Sequence, residues 1–160
     1  RHHFAGALWA RGNSWITLAI PELLEMLDLD EHDAVYRQLQ NTLQIQVAAL
    51  ARCQSDNGLW PTLLNDSDSY LEASATAGFA AGIFKAIRLG YLNAHYLPVA
   101  ERACQGIIDH ISPQGELLQV SFGTAMGHDL DHYRHIPLTA MPYGQAMAML
   151  CLVEALHRTL

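Results

Sequence analysis

The sequence predicts an all-α fold of consecutive helical hairpins, set out as part of a helical toroid. Three observations lead to it. Apolar residues recur at helical spacing in five separate segments. Long polar stretches, 53–68 and 121–141, separate alternate pairs of those segments. No alternation of strand and helix, no Gly-rich phosphate loop and no nucleophile elbow interrupts the pattern.

Residues 1–13 read as an entry loop carrying Arg1, His2, His3 and Arg11. His2 and His3 are adjacent, which is poor spacing for two ligands on one metal, so a polar loop end is the simpler reading. The first helix is expected from Ser14 to Leu27, on the stripe Ile16, Ile20, Leu23, Leu24 and Leu27. Asn13 or Ser14 would cap it. Pro21 predicts a kink or break, because it removes one backbone bond and crowds the preceding turn.

Asp28-Leu29-Asp30 is a turn, and Asp30 is placed to cap a second helix from Glu31 to about Arg52. Val35, Leu39, Leu43, Val47 and Leu50 give it one apolar stripe, as in an outer helix with one face buried. Residues 53–68 form a loop with room for a short hairpin around Leu59–Leu64; Gly58 and Pro61 punctuate it. Ser69-Tyr70-Leu71-Glu72 matches a capping box, with Ser69 as the cap and Glu72 reaching back. The third helix then runs to about Leu89, with Gly90 as its stop. Its first half is made of small residues, Ala73 to Gly82, which suits an inner helix approached closely on every side.

A fourth helix is expected over Tyr96–Ile111, with Pro98 in its first turn. Pro113-Gln114-Gly115 is a turn, and Glu116–Val120 suggests a short strand. Residues 121–141 form a second long loop; loops of this length in a compact domain are usually functional. The last helix starts at Met141 or Pro142 and ends near Arg158.

Composition narrows the function. A net charge of −7 argues against a nucleic-acid or anionic-membrane partner. No apolar run reaches the roughly 18 residues of a membrane-spanning helix. Three widely spaced cysteines, Cys53, Cys104 and Cys151, favour reduced thiols and a cytoplasmic setting.

Three places carry chemistry. Trp9-Ala10-Arg11-Gly12-Asn13-Ser14-Trp15 puts a guanidinium between two indoles beside a helix start. That set suits a carboxylated ring, with the planar fork on the carboxylate and indole on the sugar face. It also suits an aromatic loop in which an Arg salt bridge holds the helix end. Trp60 reads equally as a sugar platform or as a plug between helices. Glu72 is a possible catalytic carboxylate, although capping already accounts for it. In the second loop, His128, His132 and His135 with Asp129 and Asp131 have a composition that could bind metal. Gly127 and Pro137 argue against the helix that would gather them. A polar loop lining a sugar cleft is preferred, with His132, Tyr133 and Arg134 as hydrogen-bonding candidates and no metal.

The order and spacing of three motifs resemble the unsaturated rhamnogalacturonyl hydrolases of glycoside hydrolase family 105. They are Trp9-Ala10-Arg11-Gly12-Asn13-Ser14-Trp15, the stretch from Asp56-Asn57-Gly58-Leu59-Trp60 through Ser69-Tyr70-Leu71-Glu72-Ala73-Ser74-Ala75-Thr76-Ala77, and Ile87-Arg88-Leu89-Gly90-Tyr91-Leu92. Tyr143-Gly144 also resembles the family. The sister unsaturated glucuronyl hydrolases of family 88 are more distantly similar. The resemblance implies that residues 1–160 form one domain, the C-terminal half of an (α/α)6 barrel.

It also implies hydration of the 4,5-double bond of an unsaturated galacturonyl residue in pectin fragments. An acid protonates C4, water adds at C5, and the hemiketal opens and releases the aglycone. Trp9 and Trp15 would wall the sugar and Arg11 would bind its carboxylate, with no cofactor. In the family the catalytic aspartate lies N-terminal to the Trp-x-Arg motif, so the proton donor is expected upstream of Arg1. The partners implied are an unsaturated uronic-acid oligosaccharide and either a missing N-terminal half or a second copy covering an apolar cut edge. Two alternatives stand beside this reading. One is a non-catalytic sugar-binding or scaffold remnant of the fold. The other is a different (α/α) barrel enzyme, such as a sugar epimerase with central histidines.

Overall fold

The structure is a computed structural model that describes residues 6–157. His2, His3 and the expected helix end at Arg158 lie outside the described residues. Six α-helices are found among those described: α1 (Ala10–Leu27), α2 (Ala34–Cys53), α3 (Ala73–Arg88), α4 (Leu97–Asp109), α5 (Leu130–Arg134) and α6 (Pro142–Leu156). Two-residue strands form two antiparallel ladders. β1 (Trp60–Pro61) pairs with β2 (Leu71–Glu72), and β3 (Val120–Ser121) with β4 (Leu138–Thr139).

The core is built around α3. Every residue from Ala73 to Ala86 is buried, and α1, α4 and α6 all pack against this helix. Small side chains let three neighbouring helices come close, as its composition predicts. On α2, Leu43, Val47 and Leu50 are buried, whereas Val35 at the top of the predicted stripe is exposed. The thiols of Cys104 on α4 and Cys151 on α6 interact in the interior. Among the described residues no helix is long and apolar enough to cross a membrane.

Several boundaries move, each for a local reason. α1 begins at Ala10 rather than Ser14, and neither Asn13 nor Ser14 caps it. The Asn13 amide donates to the Trp9 carbonyl and the Ser14 hydroxyl to the Arg11 carbonyl, so both are spent inside the first turns. Pro21 does not end the helix, which runs on to Leu27. The Thr17 carbonyl four residues earlier loses its usual N–H partner. Gly82 of α3 faces that carbonyl so closely that a Cβ there would lie 2.3 Å from its oxygen. Asp33, not Asp30, caps α2, accepting from the Val35 N–H at 2.7 Å; Asp30 turns the chain ahead of it.

The expected hairpin within Leu59–Leu64 is instead the ladder of Trp60 with Glu72. Ser69 is not the cap of α3: Glu72 is, accepting from the Ala75 N–H. Ser69 accepts from the Leu63 N–H and donates to the Asp66 carbonyl. A 3-10 turn, Ala94–Tyr96, leads into α4. The predicted strand over Glu116–Val120 shrinks to β3 and one isolated bridge, Ile111 with Leu117. The second loop contains a short helix, α5, where none was expected, capped by Asp129.

Candidate functional site

Trp9 stands just before α1, and its ring folds back over the first turn, 3.1 Å from where a Cβ on Gly12 would sit. Gly12 therefore gives the indole its place. Arg11, inside that turn, points inward and is 5% exposed. Its guanidinium carbon lies 5.3 Å from the centre of the Trp9 ring and 4.6 Å from that of Tyr143, within cation–π range of both.

The edge of that guanidinium formed by Nε and Nη2 is fully engaged. Nε donates to the Ser74 hydroxyl at 3.1 Å. Nη2 donates to the Ser121 carbonyl at 2.6 Å, to the Ser121 hydroxyl, and to Glu72 Oε1 at 3.3 Å. The Tyr143 hydroxyl donates to the same Ser121 carbonyl. Nη1 has no acceptor of good hydrogen-bond geometry among the described residues, and the Tyr143 phenol also interacts with the guanidinium. Burial pushes the Tyr143 phenol up, and likewise that of Tyr70, which contacts Thr62 near Arg11 and Glu72. Both phenols are therefore neutral around neutral pH, Tyr143 donating to Ser121 and Tyr70 accepting from the Thr62 hydroxyl.

Trp9 adds a second open group. Its indole N–H is buried without a hydrogen-bond partner among the described residues. Tyr133 packs against the ring, with centroids 6.2 Å apart, and its hydroxyl accepts from the Gly127 N–H. Tyr133, Leu63 and Ile136 form a small apolar cluster with Trp9 and Tyr70 at its margin. Arg134 of α5 ties this cluster down, with Nε on Asp66 at 2.7 Å and Nη1 on Asp131 at 2.9 Å.

The predicted site residues thus separate. Trp9, Arg11 and Tyr133 come together. His132 is exposed at the edge of that group, with Nε2 on the Ala125 carbonyl at 3.1 Å and its ring edge-on to Tyr133. Trp15, one turn along α1, is 47% exposed and lines a groove of about 440 Å³ with Leu18, Leu23 and Leu150. Trp60 is fully buried, edge-on to Phe79 at 5.1 Å, and its indole N–H donates to the Leu50 carbonyl. Of its two readings, the structure has the plug; neither ring face is open to a sugar. Among the described residues no three His, Cys, Asp or Glu side chains converge as a metal site. His135 instead meets the Asp131 carbonyl.

A family profile described as Glycosyl Hydrolase Family 88 matches residues 1–159. The chain belongs to Glycosyl Hydrolase Family 88. This family 88 chain is 30% identical over 157 residues to Unsaturated rhamnogalacturonyl hydrolase YesR of Bacillus subtilis (strain 168), covering 98% of its own length and 43% of YesR. It superimposes with a TM-score of 0.97 and 66% identity on a possible member of the GH105 family from Salmonella enterica serovar Paratyphi A, covering 99% of itself and 42% of that chain. A possible GH105 member from Klebsiella pneumoniae gives a TM-score of 0.97 at 64% identity, with 100% and 42% covered. The family 88 chain therefore spans less than half the length of these relatives, and its helices match part of their (α/α)6 barrel.

Sequence reasoning missed Ser74, Ser121 and Tyr143 as partners of Arg11 in this family 88 site. Ser121 is 110 positions away, beyond the reach of any spacing argument. Glu72 offered a signal, since an acid leading into a run of buried small residues needs a cation. The capping motif explained it too readily.

Proposed function

We propose that this chain carries the uronate-recognition part of an unsaturated rhamnogalacturonyl hydrolase, with the non-reducing-end unsaturated galacturonyl residue held by its carboxylate on Arg11. One observation carries the reading. In a chain of this family, a buried guanidinium clasped by Trp9 and Tyr143 has its side edge satisfied and Nη1 left over. A charge-assisted bond from Nη1 to a carboxylate would be among the stronger polar contacts a site can make. Trp9 supplies a ring wall beside it.

Chemistry follows from the substrate. Protonation at C4 of the enol ether and addition of water at C5 give a hemiketal, which opens and expels the aglycone. A single carboxyl group of suitable pKa can give that proton and then take one back from water. We place it N-terminal to the Trp-x-Arg motif. Glu72 does not serve, being 0% exposed with both oxygens occupied.

The test uses the full-length protein. Unsaturated galacturonyl-rhamnose and its methyl ester are supplied separately, and loss of the ultraviolet absorbance of the conjugated double bond is followed. The free acid should be consumed with a KM at least about tenfold below that of the ester, a charged hydrogen bond's worth of binding. Arg11→Lys should erase most of that difference. Equal KM values would remove the carboxylate role. Consumption of neither would remove the hydrolase reading and leave a non-catalytic sugar-binding module.

A further inference from the structure

We propose that Glu72 is a specificity-determining positioning residue: an internal carboxylate that occupies the side edge of Arg11 and so fixes Nη1 as the group presented to the substrate carboxylate. This rests on the reading of Arg11 given above and adds what sets its direction.

The geometry around Glu72 is rigid. Oε2 accepts from the Ala75 N–H at 2.6 Å and Oε1 from the Ser121 N–H at 2.9 Å. These are backbone donors on two different elements, the first turn of α3 and strand β3. A carboxylate bonded to both cannot turn without breaking one of them. Arg11 Nη2 then docks on Oε1 at 3.3 Å. Ser74 completes the clasp. Its hydroxyl lies 2.8 and 2.9 Å from the two Glu72 oxygens and accepts from Arg11 Nε at 3.1 Å, so one proton and one lone pair join acid to base.

An arginine side chain has four rotatable bonds, and two aromatic faces alone leave its fork free to spin in plane. Glu72, Ser74 and the Ser121 carbonyl remove that freedom, and Glu72 also fixes β3 through the Ser121 N–H. They also exclude one binding mode. A substrate carboxylate cannot take the Nε–Nη2 edge in a two-point fork, because Ser74, Ser121 and Glu72 together already hold it. The approach is end-on, through Nη1.

An amide cannot replace this carboxylate. Its NH2 group would face either the Ala75 N–H or the Ser121 N–H and Arg11, donor against donor. Glu72→Gln therefore keeps the volume and takes the carboxylate, with its hold on Ser74 and Ser121, out of the clasp. In the full-length protein we expect it to raise KM for unsaturated galacturonyl-rhamnose about tenfold, with kcat changed less than about threefold, since ground-state and transition-state binding are lost together. KM for the methyl ester should stay within about twofold. Glu72→Asp, which keeps the charge, should recover part of the loss. Ser74→Ala sits in a run of helical alanines and keeps the fold. It should raise KM for the acid about threefold and leave the ester alone; if Glu72→Gln fails to fold, this variant decides. Parallel changes for acid and ester, or none for the acid, would overturn the role of Glu72. Absence of acid-over-ester preference in the unmodified protein would instead overturn the reading of Arg11 beneath it.

Discussion

A tryptophan on a loop rich in Asn, Gly and Ser offers a flat face and one N–H, and Trp60 directs both inward. Its ring meets Phe79 and its N–H meets the Leu50 carbonyl, so it joins α2 to α3. Trp60→Ala should cost about 3–5 kcal/mol in urea denaturation, from lost burial and an unpaired carbonyl. The preference for free acid over methyl ester should be unchanged. A loss of that preference with little change in stability would return Trp60 to the binding site. The sequence could not choose between platform and plug, because the choice depends on Phe79, nineteen positions away and in another element. Arg11 was different. Its type and its two flanking indoles marked it as special. The partners on its other edge lie 61 to 110 positions away and had no local trace.

At the scale of elements, α5 is a short helix held by Tyr133 in its apolar cluster and by one ion pair to the preceding loop. Arg134 hydrogen-bonds to Asp66 and holds its carboxyl below the usual carboxylate range. The folded value lies below the unfolded one of about 3.9, so the tether contributes above that pH and is lost as pH falls through the folded value. Hydrogen exchange on the segment containing α5 should accelerate in that acid window while α3 stays protected. Asp66→Asn should show the faster exchange already at neutral pH; no difference between the two proteins would sink the tether. The contact of α1 with α3 depends on Gly82 facing the Thr17 carbonyl. Gly82→Ala should force these helices apart and destabilise by about 1–3 kcal/mol, read as a lowered Tm. An unchanged Tm would mean that the interface gives way more easily than its packing suggests. Helix existence was legible from apolar spacing in five segments. Helix starts were less so, because Trp9, Asp33 and Glu72 took end positions for which Asn13, Asp30 and Ser69 were equally good candidates by type.

Across the whole molecule, α1 and α6 leave apolar side chains outside: Trp15, Ile16, Leu23 and Met26 on the first, Met149, Leu150 and Val153 on the second. Scattered exposed apolar residues are normal, but α1 and α6 carry several each and flank the same inner helix. Residues 1–160 expressed alone should therefore self-associate, and light scattering across a dilution series should show mass rising with concentration. A monomer at every concentration would mean that these faces are stable in water. The succession of helices was readable from local periodicity, and the barrel was what the resemblance to family 105 implied. Which faces stay open was not, because exposure depends on how distant helices pack against one another. The interior offers a further use. The hydrogen bond that the Cys151 thiol makes to Cys104, together with burial, pushes that thiol up, away from the reactive thiolate, while Cys53 is only half-buried. A thiol reagent at neutral pH thus meets one prompt target and two that react only when α4 and α6 part. The delay between them makes the native chain a timer of its own opening, without an added label.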